Sequence, residues 1–401
     1  MSLLFDESLK SIDYIFKFVG IYLDRTILNT AEHIIKFRSL YVINFLWLNT
    51  DVIAEILWII QGARHGKSLI ELTYIAPCTT FCILANIKAL SLLLNDDKVK
   101  QLFKQLRDME NNINIGDEIV KKKIVAEEKK FLRAVIKALS VVNALTLILF
   151  SLSPVLFMGL EYKKSGQIEL VLPFLIVYPF NPYDIKYWPF VYMHQIWSAN
   201  LVVTQFAGTD CLFYTCCTSI CTQFRLLHHD IETIIPERNF GENEFLEKFK
   251  KLATRHEGIM QSVIQLESIY TKSTLFNFVS SSFLICLTGF NVTAIGDIGF
   301  MLSFLSFLLT SLMQIYLLCF YGDMVMTSSM EVSNAMYNSK WYTVSARAAK
   351  HLYVGQMRAQ KPSKLTAFGY ADVNLNAFRK ILSTACSYFA LLQTMESPTQ
   401  A

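Results

Sequence analysis

Four side chains in the last apolar stretch of the sequence fall on one face of a helix. Thr384, Ser387, Leu391 and Thr394 follow the spacing i, i+3, i+7 and i+10. Three of the four carry hydroxyl groups, in a segment otherwise built of Ile, Leu, Ala, Phe and Tyr. A polar stripe on an apolar helix faces either a neighbouring helix, as a packing seam of small residues, or water, as the wall of a pore. The spacing alone leaves both interpretations open.

A second set of side chains, in four other apolar segments, has the chemistry of a binding site for a small, mostly apolar ligand. Its members are aromatic, methionine and aliphatic side chains with a few hydroxyls, which suit such a ligand. On periodicity alone, plain membrane core is the commoner explanation of such a set. Pro77 and Pro154 are expected to break two of these helices at the same level, which adds support to the cavity interpretation. The candidate ligand-binding residues are Tyr74, Thr80, Phe81, Phe150, Ser153, Phe157, Tyr192, Met193, Ile196, Trp197 and Phe304.

Motifs for catalysis or for a resident metal do not occur in the sequence. It contains no Walker loop, no HExxH, no GxSxG and no CxxC. His228-His229-Asp230 lacks converging ligands and is interpreted as a solvated face rather than a metal site. The nine cysteines all lie in apolar segments and are expected to be free. We therefore predict no catalytic residue, no metal, no cofactor and no disulfide.

Several ionisable residues lie inside apolar segments, where such groups are rare and deserve an explanation. Lys88 lies near one end of its segment and is expected to extend its ammonium group to the membrane surface. Asp51, Glu55 and Asp210 are interpreted as partners in hydrogen bonds between helices, or as protonated acids, rather than as a site that handles cations. His194 is interpreted as a packing histidine rather than a ligand contact.

The composition of the whole chain agrees with the presence of these apolar segments. The chain has 401 residues, of which 53% are hydrophobic and 17% charged, whereas soluble domains carry about 25% charged residues. The mean hydropathy is +0.36. Stretches of roughly 20 apolar residues, long enough to cross a bilayer, occur seven times. The sequence thus predicts an all-α polytopic membrane protein with seven spanning segments, at 39–61, 68–94, 134–158, 188–221, 274–295, 298–321 and 376–395.

Charges in the loops predict the orientation. Lys and Arg number 30 in one alternate set of loops and 5 in the other. Because positive charge is retained in the cytoplasm, we expect the N-terminus inside and the C-terminus outside. The two long inner loops, 95–133 and 222–273, keep apolar residues at helical spacing and predict amphipathic helices that form a cytoplasmic anchor. Their basic residues are expected to contact anionic lipid, not nucleic acid. The Asn291 sequon lies so close to the membrane that we expect it to be unused.

A motif of about forty residues lies in the C-terminal sequence. It consists of Met357–Pro362, Leu365-Thr366-Ala367, Gly369, Phe378 and Ser387 through Leu391-Leu392. With this motif the chain resembles the insect odorant receptor family, and its size, its seven predicted helices and its inner N-terminus agree with that family. Two departures are visible, since Cys386 replaces the usual Tyr before Ser and Arg379 follows Phe378 where a less charged residue is more common.

The resemblance implies an odorant-gated, non-selective cation channel, assembled as a heterotetramer with an odorant co-receptor subunit. It implies a gate at Leu391, with Thr394 at the outer rim, and a pocket in the outer half of the subunit for a small volatile odorant or pheromone. The second inner loop is short, which implies the odour-tuning subunit in the plasma membrane of an olfactory neuron. The implied regions are a cytoplasmic segment 1–38, a six-helix bundle with the pocket 39–321, an anchor segment 322–375, and a pore helix with a short tail 376–401.

Three other kinds of membrane protein are alternatives to this interpretation. A G-protein-coupled receptor needs an external N-terminus, a D/E-R-Y motif and an NPxxY motif, and these do not fit the sequence. A transporter should show inverted repeats, which are not visible. The stretch from Tyr388 to Gln393 partly matches the TYhhhhhQF-type ending of gustatory receptors, so that related channel stays an alternative.

Overall fold

This computed structural model consists mainly of long helices. The residues that the structure describes are 4–23, 31–67, 69–112, 119–167, 169–235, 241–294 and 298–396. Within them a short hairpin, β1 (Thr366–Ala367) and β2 (Ala371–Asp372), precedes the last helix. The helices are α1 (Leu4–Val19), α2 (Ala31–Arg64), α3 (Leu69–Leu94), α4 (Asp96–Asn111), α5 (Ile119–Ser165), α6 (Trp188–Glu232), α7 (Glu242–Ala294), α8 (Ile298–Asn338), α9 (Ala346–Ala359) and α10 (Leu375–Glu396).

Each predicted spanning segment lies inside one of these helices, apart from one or two terminal residues. Among the described residues, α2, α3, α5, α7 and α8 are long and apolar enough to cross a membrane. These five confirm five of the seven predicted spans, and the spans in α6 and α10 stay predictions. Polar side chains such as Gln195, Gln205 and Asp210 lower the apolar content of α6, while Arg379 and Lys380 do so in α10.

Helix α6 is the centre of the bundle. It packs against α1, α2, α3, α5, α7 and α8, and most of its middle is buried. Its 45 residues make a rod of roughly 68 Å at 1.5 Å per residue. This length exceeds the roughly 30 Å of a hydrocarbon core.

One end of the bundle widens into a layer of helices that we call the base. It consists of α4, α9, the hairpin, the N-terminal half of α7 and the C-terminal ends of α6 and α8. Val99, Phe103 and Leu106 of α4 are buried there, as are Phe245 and Phe249 of α7. The predicted amphipathic helices of the two long inner loops are therefore confirmed.

The base is also held by ion pairs, one of which corrects a sequence-based interpretation. Asp230 lies 2.6 Å from Lys121 Nζ and 2.7 Å from Arg255 Nη1, so that one carboxylate joins α5, α6 and α7. His228 contacts the carbonyl oxygen of Glu331 at 3.1 Å. The prediction of a solvated face at His228-His229-Asp230 was wrong, because these side chains are half-buried and engaged within the base.

Helix α1 was not predicted from the sequence. Phe5, Leu9, Ile12 and Phe16 recur at helical spacing and are all buried. The helix approaches α6 closely at Gly208, where a Cβ atom would lie 2.6 Å from the Phe16 ring. On its polar side, α1 is joined to α4 and α5 by ion pairs, of which Asp6–Arg107 measures 2.7 Å.

Pro77 and Pro154 do not interrupt their helices, so the expectation of two broken helices was wrong. Both prolines lie inside continuous helices, α3 and α5. Proline has no N–H to donate to the carbonyl four residues earlier. For Pro77 that carbonyl belongs to Thr73, and it accepts a hydrogen bond of 2.8 Å from Asn291 Nδ2 instead. Asn291 is completely buried, which gives a further physical reason to expect that its sequon is unused.

Lys88 also departs from its predicted role. Its ammonium group does not extend to the membrane surface but lies 2.6 Å from Asp210 Oδ1, and both side chains are buried. The interpretation of Asp210 as a partner between helices is confirmed, since the pair joins α3 to α6. The nine cysteines are free thiols.

Candidate ligand cavity and pore helix

A cavity lies where α2, α3, α5, α6 and α8 meet. It contains about 720 Å³ of empty space, counting its opening to solvent. The walls are mostly apolar and aromatic. The lining residues are Asp51, Glu55, Cys78, Phe81, Cys82, Asn143, Thr146, Leu147, Phe150, Phe174, Ser198, Ala199, Val202, Val203, Phe206, Phe307 and Thr310.

Aromatic rings from four helices form one continuous wall of the cavity. Phe81 of α3 stacks face to face on Phe206 of α6, with 3.9 Å between ring centroids. Phe307 of α8 meets Phe81 edge to face at 5.0 Å and Phe150 of α5 at 5.9 Å. Because rings at these distances interdigitate, the wall is a fixed surface against which a flat or branched apolar ligand can pack.

Two carboxyl groups of α2 lie in the opposite wall, one helical turn apart. Asp51 Oδ1 lies 3.0 Å from His194 Nδ1 of α6. The same histidine contacts the Thr50 hydroxyl at 3.1 Å through Nε2. His194 therefore packs and pairs, as the sequence analysis had expected. Glu55 is 2% exposed, and its Oε2 atom has no hydrogen-bond partner among the described residues.

The segment between α5 and α6 closes one side of the cavity. Phe174 lines the cavity, and its backbone is held at both ends by Gln195 of α6. The Gln195 side chain accepts from Phe174 N at 3.0 Å and donates to Phe174 O at 3.1 Å. Trp188 Nε1 donates to Val171 O at 3.0 Å. These hydrogen bonds hold in place a segment next to the cavity that forms neither a strand nor a helix.

Four of the predicted ligand-binding residues lie in or directly behind the cavity wall. Phe81 and Phe150 line it. Phe304 is buried and lies behind Phe150, with 5.9 Å between ring centroids, and Tyr74 meets Phe304 at 5.1 Å.

The other predicted ligand-binding residues do not line the cavity. Thr80 donates its hydroxyl to Ala76 O in its own helix, and Ser153 and Tyr192 are buried elsewhere, the latter donating to Ser151 O. Phe157 and Ile196 are half-buried. Met193 and Trp197 are 64% and 39% exposed, on the surface of α6 that faces away from the cavity.

The cavity lies deeper along the helices than the predicted set. In α5 the lining residues lie within 143–150, whereas the predicted residues lie within 150–157. In α6 the lining residues lie within 198–206, whereas the predicted residues lie within 192–197. A displacement of about seven residues corresponds to roughly 10 Å along a helix. Helical spacing was a usable signal for the missed residues, since Asn143, Thr146, Leu147 and Phe150 fall on one face. Nothing in the sequence marked Phe174, which lies outside any helix.

Helix α10 packs with one face only. Ala377, Ile381 and Ala385 are buried against α7 and α8. The predicted stripe occupies the opposite face, where all four members are exposed, Leu391 by 55%. The hydroxyls donate to carbonyl oxygens of α10 itself, for example Thr384 to Lys380 O and Thr394 to Leu391 O. The stripe is therefore not a packing seam within this chain.

Known protein sequences resemble this chain over most of its length. A family model described as "7tm Odorant receptor" matches residues 69–386. Odorant receptor 67c of Drosophila melanogaster is 25% identical over 372 residues, covering 90% of this chain and 89% of that protein. Odorant receptor 22c of the same species is 31% identical over 257 residues, covering 61% and 63%.

Solved structures agree with these sequence matches. The insect olfactory receptor OR5 from Machilis hrabei superposes with a TM-score of 0.83 and 17% identity, covering 96% of this chain and 97% of that chain. The same receptor in complex with eugenol gives a TM-score of 0.82, at 16% identity and 98% and 100% coverage. At these identities the likeness shows the fold, and the family model covers most of the chain. The chain is thus a multi-pass membrane protein that belongs to the insect odorant receptor family.

Proposed function

We propose that this chain is the odour-tuning subunit of an odorant-gated, non-selective cation channel. The cavity binds a small volatile ligand, and the exposed face of α10 lines a pore completed by an odorant co-receptor in a heterotetramer. The complex lies in the plasma membrane of an olfactory neuron, with the N-terminus and the base inside the cell. The resemblance to a receptor solved in complex with eugenol supports the binding of a small odorant here.

The observation that carries the channel part of the proposal is the orientation of α10. Its apolar face packs on α7 and α8, while Thr384, Ser387, Leu391 and Thr394 face away from the bundle. A hydroxyl stripe with one leucine suits the wall and gate of a pore. A ligand changes the open fraction only if it binds the open and closed states with different affinity, so the cavity must change shape between them.

Expression with and without the family co-receptor tests this proposal. Currents are recorded against a panel of volatiles, together with surface labelling of the chain. We expect odour-evoked cation current that requires the co-receptor. Current without the co-receptor would overturn the tuning-subunit assignment. Absence of any evoked current, with both subunits at the surface, would overturn the proposed function.

The orientation is tested separately by an epitope at the N-terminus. Antibody should reach this epitope only after permeabilisation of the cells. Labelling of intact cells would contradict the proposed topology and favour a G-protein-coupled receptor arrangement.

A further inference from the structure

The cavity lining is mostly apolar, and its two acidic side chains lie together on one strip of α2. Asp51 and Glu55 are the ionisable residues of its lining apart from two cysteine thiols, among the residues that the structure describes. Neither Lys nor Arg lines the cavity in that part of the chain. The site therefore presents negative or hydrogen-bond-accepting groups to a ligand.

Both acids are buried and keep oxygen atoms without a hydrogen-bond partner among the described residues. For Asp51 these atoms are Oδ1 and Oδ2, although Oδ1 lies 3.0 Å from His194 Nδ1. For Glu55 the atom is Oε2, and the nearby Thr79 hydroxyl donates to Ile75 O at 3.2 Å. A buried polar atom left without a partner destabilises the fold.

The basic side chains described near this region already have partners. Lys88 is bound to Asp210 at 2.6 Å, and His194 Nδ1 lies 3.0 Å from Asp51 Oδ1. A molecule inside the cavity can supply the donor that Glu55 Oε2 lacks. A ligand that provides an N–H or N⁺–H group satisfies the carboxyl, while its hydrocarbon part packs on the wall of Phe81, Phe206 and Phe307.

We propose that this cavity selects small apolar amines, whose nitrogen donates a hydrogen bond to the Glu55 carboxyl group. Asp51, one turn away, adds a second acidic group on the same side. The inference rests on the proposed function, because it names the ligand class of the same cavity. Hydrogen bonds to charged groups are worth about 1.5–3 kcal/mol, against about 0.5–1.5 for neutral ones. An amine is therefore favoured over an alcohol of the same skeleton by about tenfold in concentration.

A matched ligand series tests the inference in cells that express the chain with its co-receptor. Hexylamine, hexanol and hexane share one hydrocarbon skeleton and differ only in the terminal group. We expect the half-maximal concentration to be lowest for hexylamine, by about tenfold relative to hexanol. Because this comparison uses the wild-type protein, it does not depend on the folding of any variant. Equal sensitivity to the amine and the alcohol would overturn the inference.

Glu55→Gln then identifies the residue. Glutamine keeps the shape of the side chain but removes the acid, so we expect the preference for hexylamine over hexanol to fall by about tenfold. Glu71→Gln is the matched control, because Glu71 is an exposed acid at the start of α3. An unchanged amine response in Glu55→Gln would contradict the assignment of Glu55 as the group that binds the amine. Failure of every volatile with both subunits at the surface would instead count against the proposed function as a whole.

Discussion

The Lys88–Asp210 ion pair connects the ligand cavity to the seam between α3 and α6. Lys88 Nζ lies 2.6 Å from Asp210 and also 4.4 Å from the centroid of the Phe206 ring. Phe206 in turn stacks on Phe81 in the cavity wall. A ligand that shifts these rings must therefore act on a charge pair that joins two helices.

Loss of one partner of this pair should destabilise the receptor strongly. Lys88→Met leaves the Asp210 carboxylate buried without its cation, which costs about 3–5 kcal/mol. The double variant Lys88→Met with Asp210→Leu should recover most of that stability, because a buried pair is often replaceable by apolar residues. Thermal unfolding of purified protein in detergent measures both. A double variant less stable than the single one would contradict this account.

His256 gives the base a sensitivity to acid. It is 6% exposed, and burial, with the positive charge of Arg358 nearby, lowers its pKa from 6.5 to about 4. Because the folded state holds the imidazole neutral, stability from this group is complete above pH 6.5 and is lost as pH falls toward 4. We expect a loss of about 1 kcal/mol at pH 5.5.

Comparison with His256→Leu isolates this contribution. Unfolding temperatures of the wild type and the variant are measured at pH 7.5 and pH 5.5 in the same detergent. The fall in unfolding temperature on acidification should be smaller in the variant. An identical fall in both proteins would show that other groups account for the acid sensitivity.

Helix α8 and the hairpin meet so closely that only glycine fits between them. A Cβ atom on Gly322 would lie 2.2 Å from the backbone oxygen of Val373, directly before α10 begins. The hairpin is tied to α7 as well, since Thr271 Oγ1 accepts from Phe368 N at 2.7 Å. The start of α10 is therefore positioned by two of the long helices.

Gly322→Ala should disturb α10 while leaving the rest of the bundle folded. The added methyl group must push backbone atoms apart, which typically costs about 1–3 kcal/mol. Gly258→Ala in α7 is the matched control, because nothing lies within 4 Å of its Cβ position. There the same substitution should be neutral or stabilising by up to ~1 kcal/mol. Equal unfolding temperatures for the two variants would contradict the close contact.

The helices were predictable from the sequence to a greater extent than the cavity was. Apolar runs and helical spacing located each long helix and the base, because burial against a neighbour imposes that period. The period does not encode position along a helix, so in α5 and α6 the middle of the predicted set lies about 10 Å along the helix from the middle of the observed lining. The Lys88–Asp210 pair joins residues 122 positions apart, and no local pattern reveals such a partner.

Assembly should give the exposed face of α10 its surroundings. Leu391 and Leu392 are neighbours with opposite environments, since Leu391 is 55% exposed and Leu392 packs against the core of the subunit. If the exposed face lines the pore, the two leucines affect different properties of the channel.

Leu391→Ala should raise the resting leak current, because a smaller side chain widens the constriction. Leu392→Ala is the matched control. It should lower the free energy of unfolding by at most about 2–5 kcal/mol, because Leu392 is only partly buried, and it should not raise the leak. Currents before odour application, normalised to surface expression, measure the effect. Unchanged leak and unchanged ion permeability in Leu391→Ala would argue against a gate at this position.

The position of α1 has a consequence for biosynthesis. Glu7 binds Lys129, which follows 122 residues later in the chain, and Phe16 packs at Gly208, later still. At about 5–20 residues per second, the ribosome needs on the order of ten seconds to supply the first of these partners. During that interval the apolar face of α1 lacks α6, the helix against which most of it packs. An amphipathic helix with an uncovered apolar face associates with a lipid surface, so we expect α1 to lie on the membrane until α6 has been made.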